Sequence, residues 1–280
     1  MQWRVINDRR TILAVGSDKL ASKAMVSKIA VMNQLAIRIP ATYWVGTDVR
    51  ELKQLNEKLP ARWVLKPNAS SGRVCLIDST TTAVDWQALE SIGTSWMQQD
   101  EEAAGLGHWG YSRARRLLIA EERIGSDAAP PPDLRTQVFD GKVLRFDWSS
   151  GYGTPRHCVA CFEPDLNTRV MTGVSIEIPI TEHTPVHQMD NNQRTSIRRF
   201  IAAIGQDIDY VRVDGYVEQG QYWFGELTMY TEGGLGYFAE HLDNLAGRVW
   251  NLPDLTAPDP REAEWRALLE GTPKGTLQRT

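Results

Sequence analysis

The chain has 280 residues, 42% of them hydrophobic and 24% charged, a composition typical of a soluble globular protein with one large domain or two packed lobes. A net charge of −4 gives no general case for nucleic acid or an anionic membrane as the partner. No apolar run is long enough to cross a bilayer, and the opening MQWRVINDRR lacks the apolar core of a signal peptide, so we expect a cytoplasmic protein.

The first half of the chain is predicted to mix helices and strands. Ser17 or Asp18 can cap a helix, because apolar residues recur at helical spacing from Leu20 to Leu35. IRIPATYWV is read as a strand, and residues 49–59 as a helix. Two strands, RWVLKP and RVCLI, are joined by the loop NASSG, and a helix over residues 82–99 precedes a loop at 105–110.

The second half is richer in hairpins. The apolar strand RRLLIAEERI is followed by GSDAAPPP, whose prolines exclude regular structure. LRTQVFDGKVLRFDW is a hairpin turning at Asp140-Gly141, and residues 151–187 are irregular, with short strands near 169–177. Helices over 190–205, 240–250 and 260–270 flank a second hairpin, and the tail GTPKGTLQRT is expected to be mobile. Helices interleaved with antiparallel hairpins predict the α+β class.

Two short motifs could bind phosphate. In VLKPNASSG a strand ends at Lys66 and runs into small residues, whose backbone N–H groups can approach a phosphate closely. Lys19 lies in the first turn of the first predicted helix, where a lysine opposes the helix dipole unless an anion is near. Each motif alone is also compatible with an ordinary solvated lysine, which is the commoner case.

Two further motifs leave alternatives open. Glu121 and Glu122 end a buried strand, where they could meet a nucleotide base or simply face solvent. HCVAC places Cys158 and Cys161 beside His157, but zinc usually needs four ligands and the sequence offers no second pair. With Cys75 the chain has three cysteines, and so few favour a reduced compartment.

The hairpin YVRVDGYVEQGQYWFGELTMY carries two carboxylates within apolar runs. A two-residue loop at Gln219-Gly220 would pair Asp214 with Gly225, whereas a three-residue loop pairs Asp214 with Glu226. The longer loop is preferred, because it places Arg212, Asp214, Glu226 and Thr228 on one face. The opposite, apolar face would then hold Val211, Val213, Val217, Trp223, Leu227 and Met229. Two directly opposed carboxylates repel unless a cation lies between them, which suits Mg²⁺ or Mn²⁺; an ordinary surface hairpin is the alternative.

In this order, DKLASK, VLKPNASSG, LIAEE and RVDGYV…GQYWFGELT are similar to motifs of the ATP-grasp superfamily. PPDLRTQVFDGKV and VRVDGYVEQGQYWFGELTMY resemble more closely the TupA-like ATP-grasp family, associated with teichuronopeptide and cell-surface polysaccharide biosynthesis. The resemblance covers residues 17–250, apart from 151–187. It implies an α+β ATP-grasp fold, with two lobes clasping ATP and a truncated N-terminal domain.

The resemblance also implies roles for individual residues. Phosphate binding would fall to Lys19 and Lys66, the latter also catalytic, and to a lid containing Ser70, Ser71 and Gly72. The nucleotide would further contact Glu121 or Glu122, Asp133 and Arg135, where Arg135 replaces the usual lysine. The metal would be held by Asp214, Glu226 and Thr228, with Thr228 in place of the asparagine common in the superfamily. Arg212 would steady the acyl phosphate or the substrate carboxylate.

The implied organisation is an N-terminal segment (1–16), one lobe with the phosphate lid (17–120), a second lobe with the metal hairpin (121–250) and a C-terminal helix and tail (251–280). The implied activity is an ATP- and Mg²⁺-dependent ligase that joins small-molecule or glycan-linked carboxylates and amines. Phosphate transfer to a sugar hydroxyl and non-catalytic ATP binding are the alternatives.

Overall fold

The computed structural model describes residues 1–98, 106–125, 131–151, 158–170, 189–236 and 240–277. The helices in these ranges are α1 Gln2–Asn7, α2 Thr11–Ser17, α3 Lys19–Met32, α4 Val49–Lys53, α5 Trp86–Gln98, α6 Trp109–Arg113, α7 Asn191–Gly205, α8 Glu240–Val249 and α9 Glu262–Glu270. Short 3-10 turns occur at Asn56–Lys58 and Thr231–Gly234. The strands are β1 Thr42–Gly46, β2 Arg62–Pro67, β3 Cys75–Asp78, β4 Leu118–Glu122, β5 Asp133–Phe139, β6 Lys142–Ser150, β7 Cys158–Phe162, β8 Arg169–Val170, β9 Val211–Glu218 and β10 Gln221–Thr228. The predicted α+β class is confirmed.

The chain folds into two compact units, each assembled from separated segments. The four-stranded unit contains residues 2–22, 40–123 and 258–280, and the six-stranded unit contains residue 1 with residues 23–39 and 124–257. Both sheets are antiparallel, with strand orders β1-β4-β2-β3 and β10-β9-β5-β6-β7-β8.

The four-stranded sheet buries one apolar face. Side chains on that face alternate along the strands, as in Trp63 and Leu65 of β2 and Leu118 and Ala120 of β4, and they form one cluster with residues of α4 and α5. Trp44 and Trp63 are almost fully buried in this cluster. The opposite face carries Lys66 and Glu121 beside the buried Val64 and Ile119.

The six-stranded sheet is covered on its apolar face by α7. The sequence DNNQ supplies a capping box, in which Asp190 and Gln193 satisfy each other's backbone N–H groups at the start of this helix. Ile197, Phe200 and Ile201 are then fully or almost fully buried.

The carboxylate hairpin has a shorter turn than predicted. Gln221 pairs with Glu218, so the loop is the two-residue Gln219-Gly220, and the three-residue loop was wrong. Both loop residues have positive φ, 51° and 70°, as in the type I′ turn that matches the twist of paired strands. The predicted pairing of Asp214 with Glu226 is nevertheless confirmed, because a β-bulge between Phe224 and Glu226 shifts the register by one residue.

The bulge also changes which residues face the core. Before the bulge, Tyr222 and Phe224 are buried, and Trp223 lies on the other face opposite Tyr216. The placement of Trp223 on the apolar face was therefore wrong, whereas the other five predicted apolar residues are buried. Arg38 lies over the Trp223 ring, 5.9 Å from its centroid.

Gly215 gives a direct stability test of this packing. A Cβ atom at position 215 would lie 2.3 Å from Cζ of the buried Tyr222 ring. We expect Gly215→Ala to lower the free energy of unfolding by about 1–3 kcal/mol, the usual cost of overpacking. Gly247→Ala is the matched control, since a Cβ there meets nothing within 4 Å and alanine favours the helix by about 0.5–1 kcal/mol. Urea unfolding measures both, and equal effects of the two changes would contradict the packing.

Three other features differ from expectation: the N-terminal segment, the predicted loop at 105–110 and the tail. Residues 1–16 contain α1 and most of α2, and Arg4 and Asp8 are fully buried as an ion pair, with 3.8 Å between Nε and Oδ2. The predicted loop at 105–110 overlaps the start of α6. The tail is not free over its described part, because the backbone N–H groups of Thr276 and Leu277 donate to Thr42 and Tyr43 of β1 at 2.9 Å.

Candidate functional site: a lysine face and a carboxylate face

In the four-stranded unit, the start of α3 is tied to the small-residue loop after β2. Lys19 is largely buried, and its ammonium group donates to the carbonyl of Ser70. Ser71 and Gly72 are exposed at the tip, where Gly72 has a φ of 71°. The structure thus brings Lys19 and the predicted lid residues together.

Asn68 organises this junction and was missed from the sequence. Its side chain accepts from the backbone N–H of Leu20 (2.9 Å) and donates to the carbonyl of Arg115 (2.9 Å), and it is fully buried. Asp18, also fully buried, caps α3 through the N–H of Ala21 and holds the Arg115 guanidinium. An asparagine directly after a strand-ending lysine and proline was the available signal, because buried asparagine needs fixed partners.

Lys66 and Glu121 form an ion pair on this opposite face of the four-stranded sheet. Both side chains are mostly buried, with 15% and 7% of their surface exposed. Glu122, the neighbouring alternative, lies on the other face and accepts from the N–H of Ala41 at 3.0 Å. Of the two acids, Glu121 therefore shares a surface with Lys66.

The carboxylate face belongs to the six-stranded sheet. The registers of β10, β9, β5 and β6 place Glu226, Asp214, Arg135 and Asp147 in one row across neighbouring strands. Asp133 lies two residues before Arg135 on the same face. Arg212, Asp214, Glu226 and Thr228 share this face, as predicted.

Arg212 is bonded to Asp214 within the carboxylate face. Its Nε and Nη2 donate to the two Asp214 oxygens at 2.7 Å each, and Thr228 donates to Oδ2 of Asp214 at 2.9 Å. Burial lowers the pKa of the Arg212 guanidinium, but the Asp214 carboxylate outweighs this effect and holds that pKa above its usual value. Glu232 lies 3.7 Å from Nη1 of Arg212, an ion pair that the sequence did not suggest.

The pKa of Asp133 is affected by the other acids of this face. It accepts from Nη2 of Arg135 at 2.8 Å. Its pKa is nevertheless raised, first by burial and further by the negative charges of Asp214 and Glu226. A face that disfavours negative charge in this way is one that a bound cation would relieve.

The donor set of the carboxylate face fits a hard divalent cation. Asp214 and Glu226 are directly opposed. A carboxylate has about four acceptor positions, so Asp214 still has lone pairs for a metal ion after it accepts the two hydrogen bonds from Arg212. Across the described residues, no group of three or more His, Cys, Asp or Glu side chains gathers in metal-binding geometry. Water and phosphate oxygens would therefore have to complete the shell of Mg²⁺ or Mn²⁺.

Cys161, from the HCVAC motif, lies in β7 opposite Asp147. Only 5% of its surface is exposed, and burial, followed by the charge of Asp147, raises the pKa of its thiol to about 12. A buried thiol with a raised pKa is a poor nucleophile, because the thiolate is the reactive form. His157 lies outside the described residues.

We expect Cys161 to resist iodoacetamide at pH 8 in the native protein and to react only after unfolding, because almost none of it is thiolate at that pH. Cys75 is the internal comparison, since it is free and only partly buried. Peptide mass spectrometry after timed labelling measures both sites. Native labelling of Cys161 as fast as Cys75 would contradict its buried, protonated state.

Within the described residues, no helix is both long and apolar enough to cross a membrane.

The chain was also compared with known proteins. None of the curated proteins matches the chain. Solved structures do match, among them three ATP-grasp or related enzymes, which the chain resembles at low identity.

The D-alanine–D-alanine ligase of Bacillus anthracis with ATP is 15% identical over 85% of this chain and 66% of its own, with a TM-score of 0.41. The ATP-grasp ligase PsnB with its minimal precursor is 13% identical over 81% and 61%, with a TM-score of 0.38. The N5-carboxyaminoimidazole ribonucleotide synthetase PurK with ADP is 12% identical over 87% and 54%, with a TM-score of 0.49. The chain thus spans about two thirds or less of each of these proteins.

The family comparison is more extensive. The family described as TupA-like ATP-grasp matches residues 1–250, which include both sheets, Lys19, Lys66, Glu121 and the carboxylate face. The chain belongs to the TupA-like ATP-grasp family.

Proposed function

We propose that the protein is an ATP-dependent ligase that joins a carboxylate to an amine through an acyl phosphate. The observation that carries this proposal is the directly opposed pair Asp214 and Glu226 on the polar face of the six-stranded sheet, in a chain of an ATP-grasp family. Arg212 neutralises part of the charge of this pair by bonding Asp214, and a metal-bound nucleotide would supply a second cation beside Glu226.

The proposed reaction has two steps. A carboxylate oxygen of the substrate attacks the γ-phosphorus of ATP, the bond to the ADP oxygen breaks, and an acyl phosphate forms. An amine then attacks the acyl carbon, phosphate leaves with the former carboxylate oxygen, and the amine loses one proton. Neither step needs a covalent nucleophile from the protein, so positioning and charge neutralisation suffice.

Each face has a separate part in this proposal. Lys19 and Lys66 neutralise phosphate charge, under the lid formed by Ser70, Ser71 and Gly72, and Glu121 is a hydrogen-bond acceptor for the base or ribose. Asp214 and Glu226, with the Thr228 hydroxyl, would hold Mg²⁺ or Mn²⁺, which stabilises developing charge on the phosphates.

Asp133, Arg135 and Arg212 complete the carboxylate face. The Asp133–Arg135 pair is proposed to contact ribose or phosphate. Arg212 holds Asp214 in position through two hydrogen bonds of 2.7 Å, and its remaining donors are proposed to contact the acyl phosphate.

The test is a screen of amino acids and uronic acids for substrate-dependent ADP release, with identification of the product. Amide plus ADP and phosphate is the expected result. A stable phosphate ester would instead make the protein a phosphotransferase, and ATP binding without turnover on any substrate would make it a binding module.

The wider setting is part of the same proposal. We place the activity in cell-surface polysaccharide or related biosynthesis, with small-molecule or glycan-linked substrates, on the strength of the family. A cytoplasmic location supplies ATP and agrees with the free Cys75 and Cys161.

A further inference from the structure

Three neighbouring strands repeat one charge arrangement on the carboxylate face. Each has an arginine and an aspartate two residues apart: Arg212 and Asp214 on β9, Asp133 and Arg135 on β5, and Arg145 and Asp147 on β6. Within each strand the two side chains are bonded, at 2.7 Å on β9, 2.8 Å on β5 and 3.1 Å on β6.

Because β5 runs antiparallel to both neighbours, charges alternate across the strands. Arg135 lies between Asp214 and Asp147 in one row. The next row contains Arg212, Gln137 and Arg145, and we call it the Gln137 row. In the first row an arginine lies between two aspartates. The same alternation in the Gln137 row would place an acid between Arg212 and Arg145, but the residue there is Gln137, whose amide is neutral.

Gln137 is also buried without a partner. Only 6% of its surface is exposed, and its carboxamide has no hydrogen-bond partner in the part of the chain that the structure describes. The amide atoms of Gln137 are not among the fully buried atoms that lack a partner, so they can reach a ligand on this face. Arg145 is similarly buried, with 9% exposed, and it holds Asp147 through Nε, which is one of the five N–H donors of a guanidinium.

We propose that the Gln137 row binds an oxyanion of the substrate, which accepts hydrogen bonds from the Gln137 amide and from the guanidinium groups of Arg212 and Arg145. A planar guanidinium binds the oxygens of carboxylate or phosphate more specifically than an ammonium group does. The proposal rests on the proposed ligase function and adds a substrate class to it.

The sheet geometry sets the length of that substrate. Gln137 lies one strand and two residues from Asp214, which corresponds to about 8 Å along the sheet diagonal. The oxyanion over the Gln137 row is therefore a different group from the carboxylate that reacts beside Asp214 and Glu226. The substrate is a diacid, with either a second carboxylate or a phosphate.

The test uses thermal unfolding of the full chain in glutarate, in inorganic phosphate and in acetate at constant ionic strength. Wild type is compared with Arg145→Met, Gln137→Leu and Gln137→Glu, whose own carboxylate would fill the row. Lys142→Met is the matched control for Arg145→Met, because it removes one positive charge from the exposed start of β6, the strand that also holds Arg145.

We expect the unfolding midpoint of wild type and Lys142→Met to rise saturably with glutarate or phosphate, and less with acetate, which has one carboxylate and one charge. The apparent dissociation constant should be weaker by about ten-fold or more in each row variant, as expected from the loss of one charge-assisted hydrogen bond. A response to glutarate alone identifies a carboxylate, and a response to phosphate alone identifies a phosphoryl group.

Several results would overturn the proposal. These are no saturable response in wild type, an equal response in all variants, and a weaker affinity of Arg145→Met for ATP, which would assign the row to the nucleotide. Because these measurements need no turnover, they separate the two proposals. Anion binding without ADP release on any substrate would contradict the proposed ligase function alone. ADP release without anion binding would contradict only the proposed anion site at the Gln137 row.

Discussion

Asp214→Asn is expected to reduce substrate-dependent ADP release at least about 100-fold, the upper end of the loss seen when a group supporting a metal ligand is removed. Asp214 is opposite Glu226 and accepts hydrogen bonds from Arg212 and Thr228, so it is central to the carboxylate face. Asparagine keeps the shape and one acceptor oxygen, but it removes the charge that would bind the cation.

Glu218→Gln is the matched control for this change. Glu218 is on the same strand and the same face, four residues further along, next to the turn. It should retain full activity and an unchanged circular dichroism spectrum. Equal activity of Asp214→Asn and Glu218→Gln, at any Mg²⁺ concentration, would remove the metal site from the account.

Lys66→Met is expected to raise the dissociation constant of ATP about ten-fold or more, the equivalent of one hydrogen bond between charged groups. The same change also leaves the mostly buried Glu121 without its ion-pair partner Lys66. An unpaired buried charge lowers the stability of the folded protein, and this effect adds to the loss of ATP affinity. The double variant Lys66→Met/Glu121→Gln removes both charges and separates these effects.

Calorimetric titration with ATP measures all three proteins. Lys58→Met, an exposed lysine of the same unit, should bind ATP as wild type does. If the double variant also binds ATP with wild-type affinity, Lys66 and Glu121 form only a structural pair.

The carboxylate hairpin shows how a sequence prediction can reach the right pairing by the wrong geometry. Alternation of polar and apolar residues correctly opposed Asp214 to Glu226, because their burial requirements fix the register. The turn was misread because Gly225 was treated as an ordinary strand residue. A Cβ at position 225 would lie 2.9 Å from the Asp214 carbonyl oxygen, so the glycine permits the bulge. An isolated glycine within a strand pattern was the signal that could have revealed it.

Other features depend on contacts that local patterns do not encode. The tail after α9 was expected to be mobile because chain ends are often poorly ordered, yet two of its N–H groups bond to β1, more than 200 residues away in sequence. The Lys66–Glu121 pair and the role of Asn68 likewise require the register of β2 with β4 and the packing of α3, which single motifs cannot supply.

The helix and hairpin signals that succeeded were short-range. The predicted helix over 190–205 is confirmed as α7, which begins at the DNNQ capping box, and Asp140-Gly141 marked the β5–β6 turn, where both residues have positive φ. Local chemistry of this kind decides where an element begins or turns, whereas the order of strands in a sheet is decided by long-range burial.

The most direct test of the central claim is oxygen transfer from the substrate to phosphate. Once a carboxylic acid stimulates ADP release, its carboxylate can be labelled with ¹⁸O and the released inorganic phosphate analysed by mass spectrometry. An acyl-phosphate ligase must deliver one labelled oxygen to each phosphate, since the carboxylate oxygen that attacks phosphorus leaves with it when the amide forms. Unlabelled phosphate, or phosphate retained in an ester, would contradict the account.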